Sequence, residues 1–264
     1  MSGQRWDDLA IRLGSATALG LVALLSMWIG GHVFHVFIAA ICGVLLWETA
    51  IMLAPAARRR EAVSLGVIGT ASLLLVYVFP PGLALPLLFL PAFAGLRLMP
   101  RRRRVFIPFA LVIMLAGWGL ADLRDEFGFE WMAWLALVVV ATDVFGYFAG
   151  RAFGGPKFWP RVSPKKTWSG TVAGWVAAAV VGLAFVLTGE AGIGLVGISV
   201  AVSMASQMGD IAESAMKRRV GVKDSSNLLP GHGGVFDRFD GMLGASILLL
   251  LAAPLVDFPP PPIL

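Results

Sequence analysis

The sequence predicts an all-α, polytopic helical integral membrane protein with about nine transmembrane helices and a cytoplasmic N-terminus. Three observations lead there. The 264 residues are 58% hydrophobic and only 14% charged, with a mean hydropathy of +0.82. Long apolar runs recur from residue 12 to residue 256, and about 20 apolar residues suffice to cross a bilayer. Those runs lack the short alternating segments of an outer-membrane barrel. The cations also fall on one side. If nine spans start from an inside N-terminus, every one of the 21 Lys and Arg residues except Arg124 lies inside, as the positive-inside rule requires.

The spans are read in order as 12–30, 33–54, 63–79, 82–98, 105–121, 131–150, 170–188, 191–212 and 240–256. The first pair is split only at Gly30-Gly31, and the third pair member from the fourth by the turn signal Pro80-Pro81-Gly82. The N-terminal stretch has no signal-peptide cleavage pattern, so the first span is expected to stay as an anchor. Residues 1–130 are read as N-terminal helices (spans one to five). Residues 131–264 are read as a catalytic region (spans six to nine) with cytoplasmic loops 151–169 and 213–239. The single cysteine, Cys42, rules out an intramolecular disulfide and suggests no thiolate metal centre. The arginine runs Arg58–Arg60 and Arg101–Arg104 read as topology signals that attract anionic headgroups. The proline-rich tail after residue 256 calls for no functional reading.

Chemistry concentrates at the end of the eighth span and beyond. Asp210, Glu213, Ser214 and Lys217 are spaced i, i+3, i+4, i+7, so a helix puts them on one face. Acids inside a membrane segment are costly and mark function by default; Glu213 could also simply pair with Lys217. Asp237 and Asp240 stand three apart at the entrance to the ninth span. They are either acids at a helix N-terminus or partners of Asp210 around a divalent cation. Between lie Pro230, Gly231, His232, Gly233 and Gly234, whose glycines let backbone N–H groups approach an anion. His232 could contact phosphate or shuttle a proton. Lys217, Arg218, Arg219, Lys223 and Arg238 could neutralise phosphate charge.

Upstream, Asp143 in the sixth span shares a helix with Tyr147, Gly146 and Gly150. The two glycines allow close helix packing, so Asp143 is expected to face other spans and to ligate metal, pair with a cation or bind substrate hydroxyls. Lys165 and Lys166 stand beside the entrance to the seventh span, as phosphate ligands or as further inside charge. Glu48 is a buried acid with no assigned role, and His32 and His35 read as structural.

The run Ser214 to Asp240 resembles the signature of the CDP-diacylglycerol synthases, or phosphatidate cytidylyltransferases. Ser214, Lys217-Arg218, Lys223-Asp224, Ser226, Leu229-Pro230, His232-Gly233-Gly234, Asp237-Arg238 and Asp240 each fall at its fixed positions. Gly209-Asp210, Asp143, Tyr147, Gly150 and Ser163–Thr167 are similar to segments around it. Ser169 stands where the family often has Glu, and Gly146 where it often has Ala. Residues 1–130 resemble the family only as strings of apolar helices.

The resemblance implies CTP and phosphatidate as substrates, CDP-diacylglycerol and pyrophosphate as products, and Mg2+ as cofactor, with a second cation admitted. It implies Asp210, Asp237 and Asp240 as metal ligands and Asp210, Asp237, Lys217, Lys223 and His232 as catalytic residues. Ser214, Arg218, Arg238, Lys165, Lys166, Gly233, Gly234 and Asp143 would bind substrate. An inner-membrane location with the site facing the cytoplasm is expected, with membrane lipid as a partner, a homodimer admitted and no nucleic acid. Two other classes fit less well. A CTP-dependent lipid-alcohol kinase would release CDP. A transporter of an anionic solute would tolerate Asp143 and Asp210, but no paired broken helices appear. The D-x-x-D-G-x-x-A-R pattern of CDP-alcohol phosphotransferases is absent.

Overall fold

Helices begin and end where glycine, proline and charge dictate. The computed structural model describes residues 3–54, 59–189, 191–229, 231 and 233–261. The described chain runs α1 (Gly3–Ile29), α2 (Gly31–Leu53), α3 (Arg59–Val76), a short α4 (Pro81–Ala84), a 3-10 turn (Leu85–Phe89), α5 (Leu90–Leu98) and α6 (Arg103–Phe153). A hairpin of β1 (Lys157–Trp159) and β2 (Ser163–Thr167) follows, then α7 (Trp168–Leu187), α8 (Gly194–Val220) and α9 (Phe236–Ala252), with a closing 3-10 turn Ala253–Leu255. Among the described residues, five helical segments are long and apolar enough to cross a membrane: α2, α6, α7, α8 and Phe236–Leu255. The all-α membrane reading therefore holds in this coarser form.

Two expectations meet the structure in different ways. Spans 105–121 and 131–150 both lie in α6, as two helices that meet at a kink at Gly128, whose backbone is non-helical (φ 87°, ψ −172°). The expected span 82–98 is not one helix. Pro86 and Pro91 stand at the starts of the 3-10 turn and α5, so the segment breaks into short pieces.

By packing, the chain divides into two units: Met1–Phe129 with Lys217–Phe239, and Glu130–Met216 with Asp240–Leu264. The segment Lys217–Phe239, grouped by sequence with the C-terminal helices, thus packs with the N-terminal ones.

In the first unit, α2 and α3 touch backbone to backbone. A Cβ on Gly43 would lie 1.9 Å from Thr70 Oγ1, and one on Gly66 would lie 2.8 Å from the Gly43 carbonyl oxygen. Small residues drive such contacts in lipid, where burial of apolar surface gives little. Phe34, Leu45, Leu46, Leu65, Leu73 and Phe106 fill this unit's core. The α1 C-terminus is closed by Arg124, which donates to the carbonyls of Met27 (2.6 Å) and Trp28 (3.2 Å). His35 Nε2 meets Asp125 Oδ2 at 2.6 Å, so His35 has the structural role expected of it.

In the second unit the same device joins α6, α7, α8 and α9. Gly146 and Gly150 on α6 face Gly170 on α7, and Gly209 on α8 faces the carbonyl of Asp240 on α9. Polar bonds cross the buried helix faces: Trp134 Nε1 to Ser199 Oγ (3.1 Å) and Thr142 Oγ1 to Ser203 Oγ (2.7 Å). The hairpin was not foreseen. Its strands pair antiparallel, with Lys157 opposite Thr167 and Trp159 opposite Ser163. It puts Lys165 and Lys166 on a strand leading into α7. Thr167 caps that helix by accepting from Gly170 N at 3.2 Å, and Ser169 Oγ bonds the Gly154 carbonyl at 2.5 Å.

Candidate active site

The signature loop of the first unit is built around two carboxylates. The last turn of α8 carries Lys217, and Gly221 ends the helix with a positive φ of 75°. Lys217 Nζ bonds Asp237 Oδ1 at 2.6 Å, each side chain about one-tenth exposed. The other oxygen, Oδ2, accepts from Ser225 N (3.0 Å), Ser225 Oγ (3.0 Å) and Gly234 N (2.8 Å). Asp237 is thus held by α8 through Oδ1 and by its own loop through Oδ2.

The second carboxylate is Glu48 on α2, fully buried. Its Oε1 accepts from Ser226 Oγ (2.5 Å) and Val235 N (2.9 Å); its Oε2 accepts from Ser225 Oγ (3.2 Å) and Phe236 N (2.6 Å). Sequence reasoning left Glu48 without a role, because its partners lie far along the chain and an acid in an apolar run names none.

The two signature glycines have a direct steric reason. Gly233 has φ +83°, and a Cβ there would lie 2.7 Å from Asp237 Oδ2. A Cβ on Gly234 would lie 1.9 Å from Ser225 Oγ and 2.4 Å from Glu48 Oε1. The close anion approach expected of these glycines is occupied here by the protein's own carboxylates. Leu229 N bonds Gly233 O at 2.9 Å and closes the turn. Arg218, Lys223 and Arg238 are exposed. His232 and Pro230 lie outside the described residues, as does Arg58.

In the second unit, a cavity of about 500 Å³ is lined by residues of α6, β2, α7 and α8. Four of the residues singled out from sequence line it: Asp143, Lys165, Lys166 and Asp210. Lys166 Nζ bonds Asp210 Oδ2 at 2.5 Å, both side chains about one-quarter exposed. Ser214 Oγ donates to Asp210 Oδ1 at 3.2 Å. Asp240 is half-buried at the start of the α9 portion in this unit, with its Oδ1 accepting from Gly241 N at 2.7 Å.

The cavity also takes in Arg151 and Gln207, which sequence reasoning gave no site role. Arg151 Nη1 bonds Tyr147 Oη at 3.1 Å. Gln207 accepts from Trp175 Nε1 and donates to the Thr171 carbonyl. A signal for Gln207 was present: it precedes Asp210 by three residues and so extends the polar stripe one turn back.

Among the described residues no three His, Cys, Asp or Glu side chains gather as a ready-made metal cluster. Magnesium needs none. It takes one or two carboxylates, keeps waters and completes its shell with phosphate oxygens. Two carboxylates on one cavity, Asp143 and Asp210, match that demand with hard oxygen donors. The flanking Arg151, Lys165 and Lys166 suit the phosphates.

Comparison with known proteins gives the family. The Cytidylyltransferase family matches residues 10–255. A Brucella abortus (strain 9-941) protein named phosphatidate cytidylyltransferase is 37% identical over 255 residues, 93% of each chain. Proteins of the same name from Bacillus subtilis (strain 168) and Haemophilus influenzae are 42% and 44% identical. They match over 45% of each chain for the former, and 43% of this chain and 42% of its relative for the latter. By the extent of the family match and of the first of these relatives, the chain belongs to the cytidylyltransferase family.

Proposed function

We propose that this protein is a phosphatidate cytidylyltransferase, converting CTP and phosphatidate to CDP-diacylglycerol and pyrophosphate in phospholipid synthesis. The observation that carries the reading is the cavity in which Asp143 and Asp210 stand among Arg151, Lys165 and Lys166. It offers sites for a hard cation and for anions, on helices apolar enough to sit in a membrane. The named relatives support the choice of substrates.

An oxygen of the lipid phosphate forms the new bond to the α-phosphorus of CTP, and the α–β phosphoanhydride bond breaks. Pyrophosphate leaves with the electron pair. A phosphate monoester dianion is already nucleophilic, so no general base is required. Both reactants are anions, and the barrier falls chiefly through positioning and charge neutralisation. Lys165, Lys166 and Arg151 would supply that neutralisation, with Lys217, Arg218, Lys223 and Arg238 of the signature as further phosphate ligands. His232 would act on phosphate or a proton.

Asp210, Asp143 and Asp240 would hold magnesium, which when bound supplies Lewis-acid neutralisation of phosphate charge. The signature resemblance alone would make Asp237 a metal ligand as well. The metal reading is checked by Mn2+ titration followed by electron paramagnetic resonance. Asp210→Asn should weaken binding about tenfold or more, as loss of a charged ligand implies, and unchanged binding would remove Asp210 from the ligand set.

The activity is tested with α- and γ-labelled CTP and phosphatidate in detergent micelles. Release of labelled pyrophosphate with CDP-diacylglycerol is expected. Release of CDP with a phosphorylated lipid alcohol would instead establish the kinase reading, and CTP-independent uptake of an anion in liposomes the transporter reading.

The proposal extends to topology: nine spans, a cytoplasmic N-terminus and a site facing the cytoplasm in the inner membrane. The cation distribution supports it.

A further inference from the structure

An acid with no exposed surface on an apolar helix is expensive unless every lone pair finds a donor. Glu48 meets that demand with four donors, none of them a cation: the Ser226 hydroxyl, the backbone N–H groups of Val235 and Phe236, and the Ser225 hydroxyl, whose one hydrogen it shares with Asp237. The two hydroxyls stand where the signature loop begins, and the two N–H groups where it enters α9. The latter belong to the first turn, where helix N–H groups have no intrahelical acceptor and the helix dipole favours negative charge. One carboxylate of α2 therefore grips both ends of the stretch between Ser226 and Val235, including both signature glycines.

Asp237 also gathers Ser225 and Gly234, but from α9, the helix that the segment runs into. The bonds to Glu48 tie the segment to α2. A carboxylate suits the position because it only accepts. Glutamine would keep one acceptor oxygen and turn an NH2 group toward N–H and O–H donors.

We infer that Glu48 is a positioning residue for the signature loop: a buried acceptor on α2 that fixes the loop's geometry without touching substrate. The inference rests on the cytidylyltransferase reading of that loop.

The test uses the full-length protein in detergent with Glu48→Gln and, separately, Ser226→Ala, which removes one hydroxyl donor to Glu48 and leaves the bonds to Asp237 in place. Turnover, KM for CTP and the rate of tryptic cleavage after the exposed Lys223 are measured on each. Glu48→Gln is expected to lower turnover about 100-fold, the scale that a displacement of about 1 Å can reach, while circular dichroism and gel filtration stay native. Cleavage after Lys223 is expected to accelerate about tenfold as the segment opens locally. Ser226→Ala should show the same two changes in smaller measure.

A folded Glu48→Gln protein with turnover within about twofold of wild type, a margin too small for lost positioning, overturns the inference. So does lost turnover with cleavage unchanged. Should Glu48→Gln fail to fold, Ser226→Ala decides: wild-type turnover and cleavage overturn the inference, and changes in both support it. Wild-type protein that makes no CDP-diacylglycerol would instead sink the functional reading, and the cleavage rates would still judge the clamp.

Discussion

Asp210 and Asp237 show how two acids with one expected role come to differ. Asp210 shares its cavity with Asp143 and contacts a lysine and a serine at its rim. Asp237 is wrapped by three donors of its own loop and by Lys217 of α8. Asp210→Asn should therefore abolish turnover with tryptic cleavage after Lys223 unchanged, whereas Asp237→Asn should lose turnover and accelerate that cleavage. Equal cleavage rates in the two variants would count against this division. Lys217→Ala leaves a buried carboxylate without its cation, which costs about 3 kcal/mol; thermal unfolding in detergent should show a correspondingly lower midpoint. At this scale the signature was legible as spacing. Glu48 was not, since its meaning lies in donors 177 to 188 residues further on.

At the scale of elements, the helices were legible because apolar length is a strong signal, and their joints were less so. The kink at Gly128 falls in the gap between the expected spans 105–121 and 131–150, but apolar length does not single out its position. The β1–β2 hairpin is short and rich in cations and prolines, so it read as a loop. Packing between helices depends on residues without side chains. A Cβ on Gly244 would lie 2.2 Å from the Ala205 carbonyl and 3.1 Å from Gly209 Cα, both backbone and unable to yield. Gly244→Val should force α8 and α9 apart and destabilise the second unit by about 2–3 kcal/mol, the cost of overpacking. The melting temperature of the purified variant measures this; an unchanged value would contradict the contact. Gly197, with open space around its Cβ position, is the control: Gly197→Ala should leave that temperature unaltered.

For the whole molecule, the charge count makes a topological prediction. Cysteine placed at Arg161 should react with a membrane-impermeant maleimide only from the cytoplasmic face, and cysteine at Asp257 only from the other. Native Cys42 is buried at 2% exposure and should not compete for the reagent in folded protein. Reaction of both positions from the same face would break the nine-span reading. Arg124, the one cation on the outer side in that reading, has local work to do: it satisfies the last carbonyls of α1, where a positive charge also meets the negative end of the helix dipole.

The bond pattern around Glu48 also has a consequence for biosynthesis. The ribosome makes α2 early and residues 225–236 near the end, and a nascent chain halted before Ser225 would carry a charge-bearing helix that has none of its four acceptor sites filled. Membrane segments with unsatisfied acids insert poorly and are targets for quality control. The signature loop is thus also the seal that completes α2, so an unfinished chain is expected to be an unstable one.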